Sequence, residues 1–235
     1  MKQYTYLLVN FLAVVICFIF SFHPKIRFDK FFVPFIKSAT LVLVPFIIWD
    51  AWFTKMGVWW FNDDYLIGVR LLGLPLEEWL FFICIPFSCV FTFYCLDKFF
   101  NLDWRQQTDL YFCLVIAVSC LVLAIVNRDL IYPFITFLVT ALSLLYLKFM
   151  AKVSWIGKAS LIYAMLLPGF FMVNGVLTGT GLDQPIVNYT TGHYMGIRIG
   201  TIPVEDAVYG YTMILWNVFF FKKFARDTFS EPALT

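Results

Sequence analysis

Seven stretches of the chain, 5–22, 33–49, 75–96, 109–126, 130–147, 158–174 and 203–221, are apolar almost without interruption, and polar residues gather between them. Each is long enough to cross a hydrocarbon core about 30 Å thick at the helical rise of about 1.5 Å per residue. The runs are continuous instead of alternating, which argues against barrel strands, and backbone in lipid must satisfy its own hydrogen bonds. The pattern predicts an all-α integral membrane protein of seven transmembrane helices. The first run follows Lys2 as in a signal peptide, but it ends in "FSFHPKIR" without a small-residue cleavage site, so it is read as the first helix.

The pattern also repeats. "GVRLLGLPLEE" (68–78) lies on "GIRIGTIPVED" (196–206) at an offset of 128, with four of eleven positions identical and five conservative. Upstream, at an offset of 124, Asp50 meets Asn174, Thr54 meets Thr178 and Gly57 meets Gly181. Helices 1–3 therefore correspond to helices 5–7, and the expected organisation is a first three-helix repeat (1–100), a linking helix (101–128) and a second repeat (129–235). The odd connector gives the two repeats the same orientation in the bilayer. Both acidic motifs then start the third helix of their unit from one membrane face, with the segments 50–74 and 175–202 placed to cover them.

Composition sharpens the class. Hydrophobic residues make up 62% of the chain, aromatic residues 21% and charged residues only 14%, with a mean hydropathy of +0.83, a balance foreign to soluble domains. Lys2, Lys55, Arg70, Arg128 and Arg198 fall on one face, and the other twelve of the 17 basic residues on the opposite one. The positive-inside rule then puts the carboxy terminus in the cytoplasm and the amino terminus outside a cell (inner) membrane. No basic stripe or zinc finger points to nucleic acid. Cys17, Cys84, Cys89, Cys95, Cys113 and Cys120 all fall within spans, without CxxC spacing, and read as apolar fillers. His23 and His193 lie in loops without a ligand partner at metal spacing, so no metal is expected.

Acidic residues carry the candidate chemistry. The chain has four glutamates, three of which, Glu77, Glu78 and Glu205, lie in the two motifs, and Asp206 completes the second pair. Pro75 and Pro203 read as first helical positions, where a following acid meets free amides and the positive end of the dipole. Adjacent acids on a helix point about 100° apart, so the two members of a pair cannot share one role. Arg70 and Arg198, at matched positions, are available to keep a carboxylate ionised, or anchor to headgroups. Trp49, Trp52 and Trp60 crowd the same face, as an interfacial belt or as π faces for a cation. Acid, aromatic lining and hydrocarbon together point to protonation of an alkene.

These residues resemble the membrane-embedded, heterodimer-type lycopene β-cyclases of carotenoid biosynthesis, with both halves in one chain. The resemblance rests on P-x-E-[ED], present as "PLEE" (75–78) and "PVED" (203–206), with "WDAWFTKMGVWWFNDDYLIGVRLLG" before the first and "NGVLTGTG" plus "GIRIGTI" before the second. Some relatives carry a fused phytoene synthase, and nothing in this sequence is left over for one. The resemblance implies a substrate among lycopene and related acyclic carotenoids, β-ionone rings as product, and no net redox change. It carries the motif carboxylates onto Glu77, Glu78, Glu205 and Asp206. Glu77 and Glu205 are expected as acids, with Glu78 and Asp206 as base or electrostatic partner. Asp50 and Asn174 are expected to line or orient the site, their difference making the halves unequal. With no glycine-rich dinucleotide fingerprint, no flavin or other cofactor is expected. Membrane lipid, other carotenoid enzymes or a second copy are the implied partners.

Three rivals fit less well. A small proton-coupled transporter with three-plus-one-plus-three helices would want a polar midplane, whereas these acids sit at helix mouths. A retinal-binding protein needs a lysine inside the seventh span, but Lys222 and Lys223 follow it. A prenyltransferase needs spaced aspartates for magnesium, which "NDDY" at 62–65 does not supply twice.

Overall fold

Helices form on all seven apolar runs. The structure, a computed structural model, describes residues 2–230. Its helices are α1 (Thr5–Ser21), α2 (Phe32–Lys55), α3 (Leu76–Phe99), α4 (Gln106–Val126), α5 (Ile131–Leu145), α6 (Ile156–Leu177) and α7 (Val204–Ser230). A π turn at Tyr146–Met150 extends α5. Helix α2 continues past its expected end at 49 to Lys55, which brings Asp50 and Trp52 onto the helix.

Helices α1 to α6 are each long and apolar enough to cross a membrane. Helix α7 differs: Glu205, Asp206, Thr212 and Asn217 are all buried on it, and it packs against α2, α3, α5 and α6. Polar groups are tolerated there because neighbouring helices surround them instead of lipid. By contrast α1 exposes Leu8, Phe11, Leu12, Ile16 and Ile19. Helix α4 presents Cys113, Ala117, Cys120 and Ala124 as a buried stripe and packs chiefly on α5. Small residues at this spacing let two helix backbones approach closely.

Helix contacts come in matched sets. Helix α1 packs on α3 as α5 does on α7, α2 on α3 as α6 on α7, and α2 on α7 as α6 on α3. The segments after α2 and α6 also contain short strands, which continuous apolar runs do not foretell. The strand β1 (Trp59–Phe61) pairs antiparallel with β4 (Val187–Tyr189). Two small hairpins, β2 (Arg70–Leu71) with β3 (Leu74–Pro75) and β5 (Arg198–Ile199) with β6 (Ile202–Pro203), lead directly into α3 and α7. In the first hairpin Leu72 and Gly73 are both left-handed, with φ of 53° and 82°, the primed turn that suits strand twist.

The β1–β4 register is symmetric. Trp60 pairs with Asn188, Trp59 with Tyr189 and Phe61 with Val187. An offset of 128 also superposes Trp60 on Asn188, so each strand pairs with its own counterpart, reversed, about a twofold through that central pair. The sheet closes one end of the bundle, with Trp59 and Phe61 turned inward and Trp60 half exposed.

At the opposite end, ion pairs tie α4 to the rest. Asp109, at the start of α4 and fully buried, accepts from Lys148 and, at 2.5 Å, from the Gly157 amide. Lys158 pairs with Asp97 at 2.5 Å and with Asp103, and Lys222 reaches Asp97 at 3.2 Å. Gly157 is required beneath Trp104, since a Cβ there would stand 2.4 Å from the ring.

Removing one partner of a buried pair strands the other's charge. Asp109→Ala should therefore destabilise the bundle by about 3 kcal/mol in reversible unfolding from detergent micelles, and adding Lys148→Met should recover part of that loss.

Candidate active site

Each acidic pair is split by the helix it starts. Pro75 stands just before α3, extended at φ −64° and ψ 149° and paired in β3, so it is the cap residue and not the first helical one. Glu77 and Glu78 then occupy the first turn and diverge. Glu77 is fully buried and turns back along the chain, its Oε1 accepting from the Ile67 amide at 2.6 Å. Glu205 does the same with Met195, also at 2.6 Å. Matched backbone bonds, Leu76 to Val69 at 2.9 Å and Val204 to Ile197 at 3.1 Å, complete both clasps. The two acids expected as proton donors thus hold the segments that precede their helices, and neither lines the cavity below.

The partner acids turn the other way. Glu78 and Asp206 both line one cavity of about 320 Å³, together with Asp50 and Asn174, a volume at the lower end of the range for small-molecule sites. The Tyr6 hydroxyl donates to Glu78 Oε2 at 2.5 Å. Its counterpart Tyr132 donates to Asp206 Oδ1 at 2.6 Å. Asp206 Oδ2 accepts from Asn174 at 2.8 Å and from Tyr189 at 2.7 Å, so this carboxyl is held by three donors. Asp50 Oδ1 accepts from the Trp59 indole at 2.6 Å, while its Oδ2 is buried without a partner. The difference between Asp50 and Asn174 therefore matters: the amide can donate to the neighbouring acid, and the carboxylate accepts from the lid instead.

Rings supply the remaining wall. Trp59 and Phe61 from β1 and Tyr189 from β4 close the cavity from the lid, and Tyr6, Tyr132, Tyr163, Tyr209, Phe81 and Phe170 line it from the helices. Trp59 sits edge-on to Tyr132 at 5.1 Å, and Tyr132 stacks on Tyr189 at 6.1 Å. Burial first, then the Asp206 carboxylate, push the Tyr189 phenol well above its ordinary range, which keeps it a donor.

Other residues singled out from the sequence lie elsewhere. Arg70 bonds Asp63 at 2.5 Å and the Gly73 carbonyl at 3.0 Å on the exposed hairpin. Arg198 bonds the Thr201 carbonyl and the Tyr194 hydroxyl, and its guanidinium stands 5.6 Å from the Tyr189 ring. Among the described residues no salt bridge engages any of the four motif carboxyls, because both arginines are spent on the hairpins that clamp those helix starts. Trp52 and Trp60 face outward, about half exposed. Trp49 packs on Tyr209 at 4.9 Å, outside the cavity lining. No group of three or more His, Cys, Asp or Glu among the described residues is placed to hold a metal ion.

The tyrosines were missed by the sequence reading, although a signal existed. "TYLLVNF" (5–11) and "IYPFITF" (131–137) align at an offset of 126, which matches Tyr6 with Tyr132 and Asn10 with Thr136. Asn10 uses its amide to hold the Glu77 carbonyl at 2.8 Å.

Fold and site together define a helical membrane protein with one apolar, aromatic chamber into which carboxyls of both halves project. The chain belongs to the lycopene cyclase family, whose model, described as Lycopene cyclase, matches residues 3–96 and 129–224. It is similar to proteins described as bifunctional lycopene cyclase/phytoene synthase. It is 35% identical over 52 residues to that of Podospora anserina, a match covering 21% of this chain and 9% of the relative. To that of Neurospora crassa it is 33% identical over 66 residues, 27% of this chain and 11% of the relative. To that of Phaeosphaeria nodorum it is 31% identical over 72 residues, 31% and 12% respectively. The matched segments thus span about a tenth of these relatives. No solved structure matches the chain.

Glu77→Ala should release the first clasp: amide exchange at Ile67 and through the β2–β3 hairpin should accelerate by roughly one order of magnitude, the loss expected for one hydrogen bond. Unchanged exchange there would remove the clasp role.

Proposed function

We propose that the protein is a lycopene β-cyclase acting inside the membrane, converting the acyclic ends of lycopene and related carotenoids to β-ionone rings. The observation that carries this reading is the shared chamber: Glu78, Asp50 and Asp206 face one another's space within an aromatic wall, in a chain of the lycopene cyclase family. In this reading α4 is a connector between two cyclase units, and the lid face lies outside the cell with the carboxy terminus in the cytoplasm.

The chemistry follows from the hydrogen bonds. Glu78 has one oxygen tied to Tyr6 and delivers a proton from the other to the terminal double bond of the substrate. A tertiary cation forms, the neighbouring internal alkene attacks it, and the new carbon–carbon bond closes the six-membered ring and moves the charge onto a ring carbon. Loss of an adjacent ring proton restores the double bond. Asp206, held as an acceptor by three donors, is the fixed negative charge beside the cation and takes that proton. A heavily bonded carboxylate is a weak base, yet a carbocation is acidic enough to surrender a proton to it. Asp50, with one unpartnered oxygen, takes the proton back from Asp206 and returns it to Glu78, so each ring closes with no net gain or loss of protons. The reaction is an isomerisation, without net redox change, and needs no flavin.

Aromatic walls serve twice. The faces of Trp59, Tyr132 and Tyr189 stabilise positive charge, and the closed lid keeps out water that would trap the cation as an alcohol.

Expression in a lycopene-accumulating bacterium should turn cells from red to orange-yellow. Glu78→Gln and Asp206→Asn should each lower ring formation by about 100-fold or more, the usual scale of a lost general acid or base. Lycopene left unchanged by the unaltered protein would overturn the reading.

A further inference from the structure

We infer that the chamber is entered sideways from the bilayer, between α1 and α6, by one end of the substrate at a time, and that the other half of the bundle has no matching entrance. The inference rests on the chamber being the ring-forming site. Its basis is an asymmetry in which helices reach the cavity. Leu12 and Ala13 of α1, and Gly169, Met172 and Val173 of α6, all line it. Leu12 and Met172 are at the same time 57% and 71% exposed on the outer surface of the bundle, so the lining runs out to lipid. From the counterpart helices α5 and α2, only Tyr132 and Asp50 reach the cavity.

Residue size accounts for the difference. At the offsets that match the helices, Gly169 corresponds to Pro45, Val173 to Trp49, Ser88 to Trp216 and Ala13 to Val139. Each of the four positions is smaller on the open side. On the closed side Trp49 fills the interface between α2 and α7, packed on Phe46 at 5.9 Å, Phe53 at 5.8 Å and Tyr209 at 4.9 Å. Trp216 is fixed against α5 by its indole bond to Ser143 at 2.9 Å. The bundle has therefore kept its twofold at the lid and abandoned it in the apolar half, leaving one chamber that draws Glu78 from one unit and Asp206 from the other.

A long polyene fits such a chamber only end-on, with the rest of its length left in the bilayer. A second ring requires the molecule to leave, turn and re-enter. The one-ring product is therefore an exchangeable membrane species and not a bound intermediate.

The experiment uses the full chain in proteoliposomes with isotopically labelled acyclic carotenoid and an excess of unlabelled one-ring carotenoid. The expected result is that label in two-ring product falls in proportion to the dilution, or that only one-ring product forms. Two-ring product carrying undiluted label would overturn the inference. In parallel, Ala13→Phe should lower the initial rate at least about tenfold by narrowing the entrance, while Val139→Phe, its counterpart on the closed side, should leave the rate within about twofold. Equal losses in both would overturn the sideways entrance. A protein that forms no ring at all without substitution would instead remove the proposed activity itself, so the two failures are distinct.

Discussion

A carboxyl inside a hydrocarbon-embedded bundle must be given its donors by the protein, because lipid offers none. Most of the architecture around the two acidic motifs follows from that constraint. Four carboxyls enter the bundle at the starts of α3 and α7, and each is met by a specific group: the Ile67 and Met195 amides, the Tyr6 hydroxyl, and the Tyr132, Tyr189 and Asn174 donors. Those donors come from the loops and from both halves of the fold, so bonding the acids also assembles the lid, while Glu77 Oε2 and Glu205 Oε2 are buried without a partner. The hairpins, the central strand pair and the first turns of α3 and α7 form one hydrogen-bonded cap.

The cap divides labour within each pair. Neighbouring helical positions differ by about 100°, so when one acid faces the chamber the other faces the incoming chain. The sequence alone could not decide which was which. Glu77 and Glu205 are the identical pair, and identity in a repeat reads naturally as catalysis, but it follows equally from a clasp that both units need. The members that differ, Glu78 and Asp206, are the ones that share the cavity.

Legibility in the sequence tracked the physics that each feature depends on. Helix number, membrane embedding and the matched motifs depend on long apolar runs and on local identity, and these were readable. Helix α2 overran its expected end because Asp50 and Trp52 looked like the start of a loop, whereas a donor from β1 and packing against neighbours keep them helical. The strands were invisible: three residues such as Trp59–Phe61 acquire their conformation only by pairing with partners 126 to 130 positions away. The sequence also does not show that Arg70 and Arg198 bond carbonyls of the hairpins or that Trp52 on α2 and Trp60 on β1 are about half exposed. Tyr6 and Tyr132 lay within apolar runs, where a tyrosine reads as ordinary lining until its hydroxyl is seen to meet an acid.

Unequal halves are what the proposed chemistry requires. Ring closure needs a group that gives a proton and a group that receives one, on different sides of a cation, and a strictly symmetric pair would supply the same state twice. The exchange of Asn174 for Asp50, with Tyr189 standing where the first half has Phe61, breaks that equality. In one half the residue at the helix end donates to the motif acid and, with two tyrosines, fixes Asp206 as an acceptor. In the other half the equivalent residue is itself a carboxyl bound to the lid tryptophan, leaving Glu78 with a single tyrosine donor and the freedom to carry a proton. In the proposed reading the two similar halves acquire complementary functions through a few side-chain differences, Asp50 against Asn174 and Phe61 against Tyr189 among them, with the lid holding both over an apolar space.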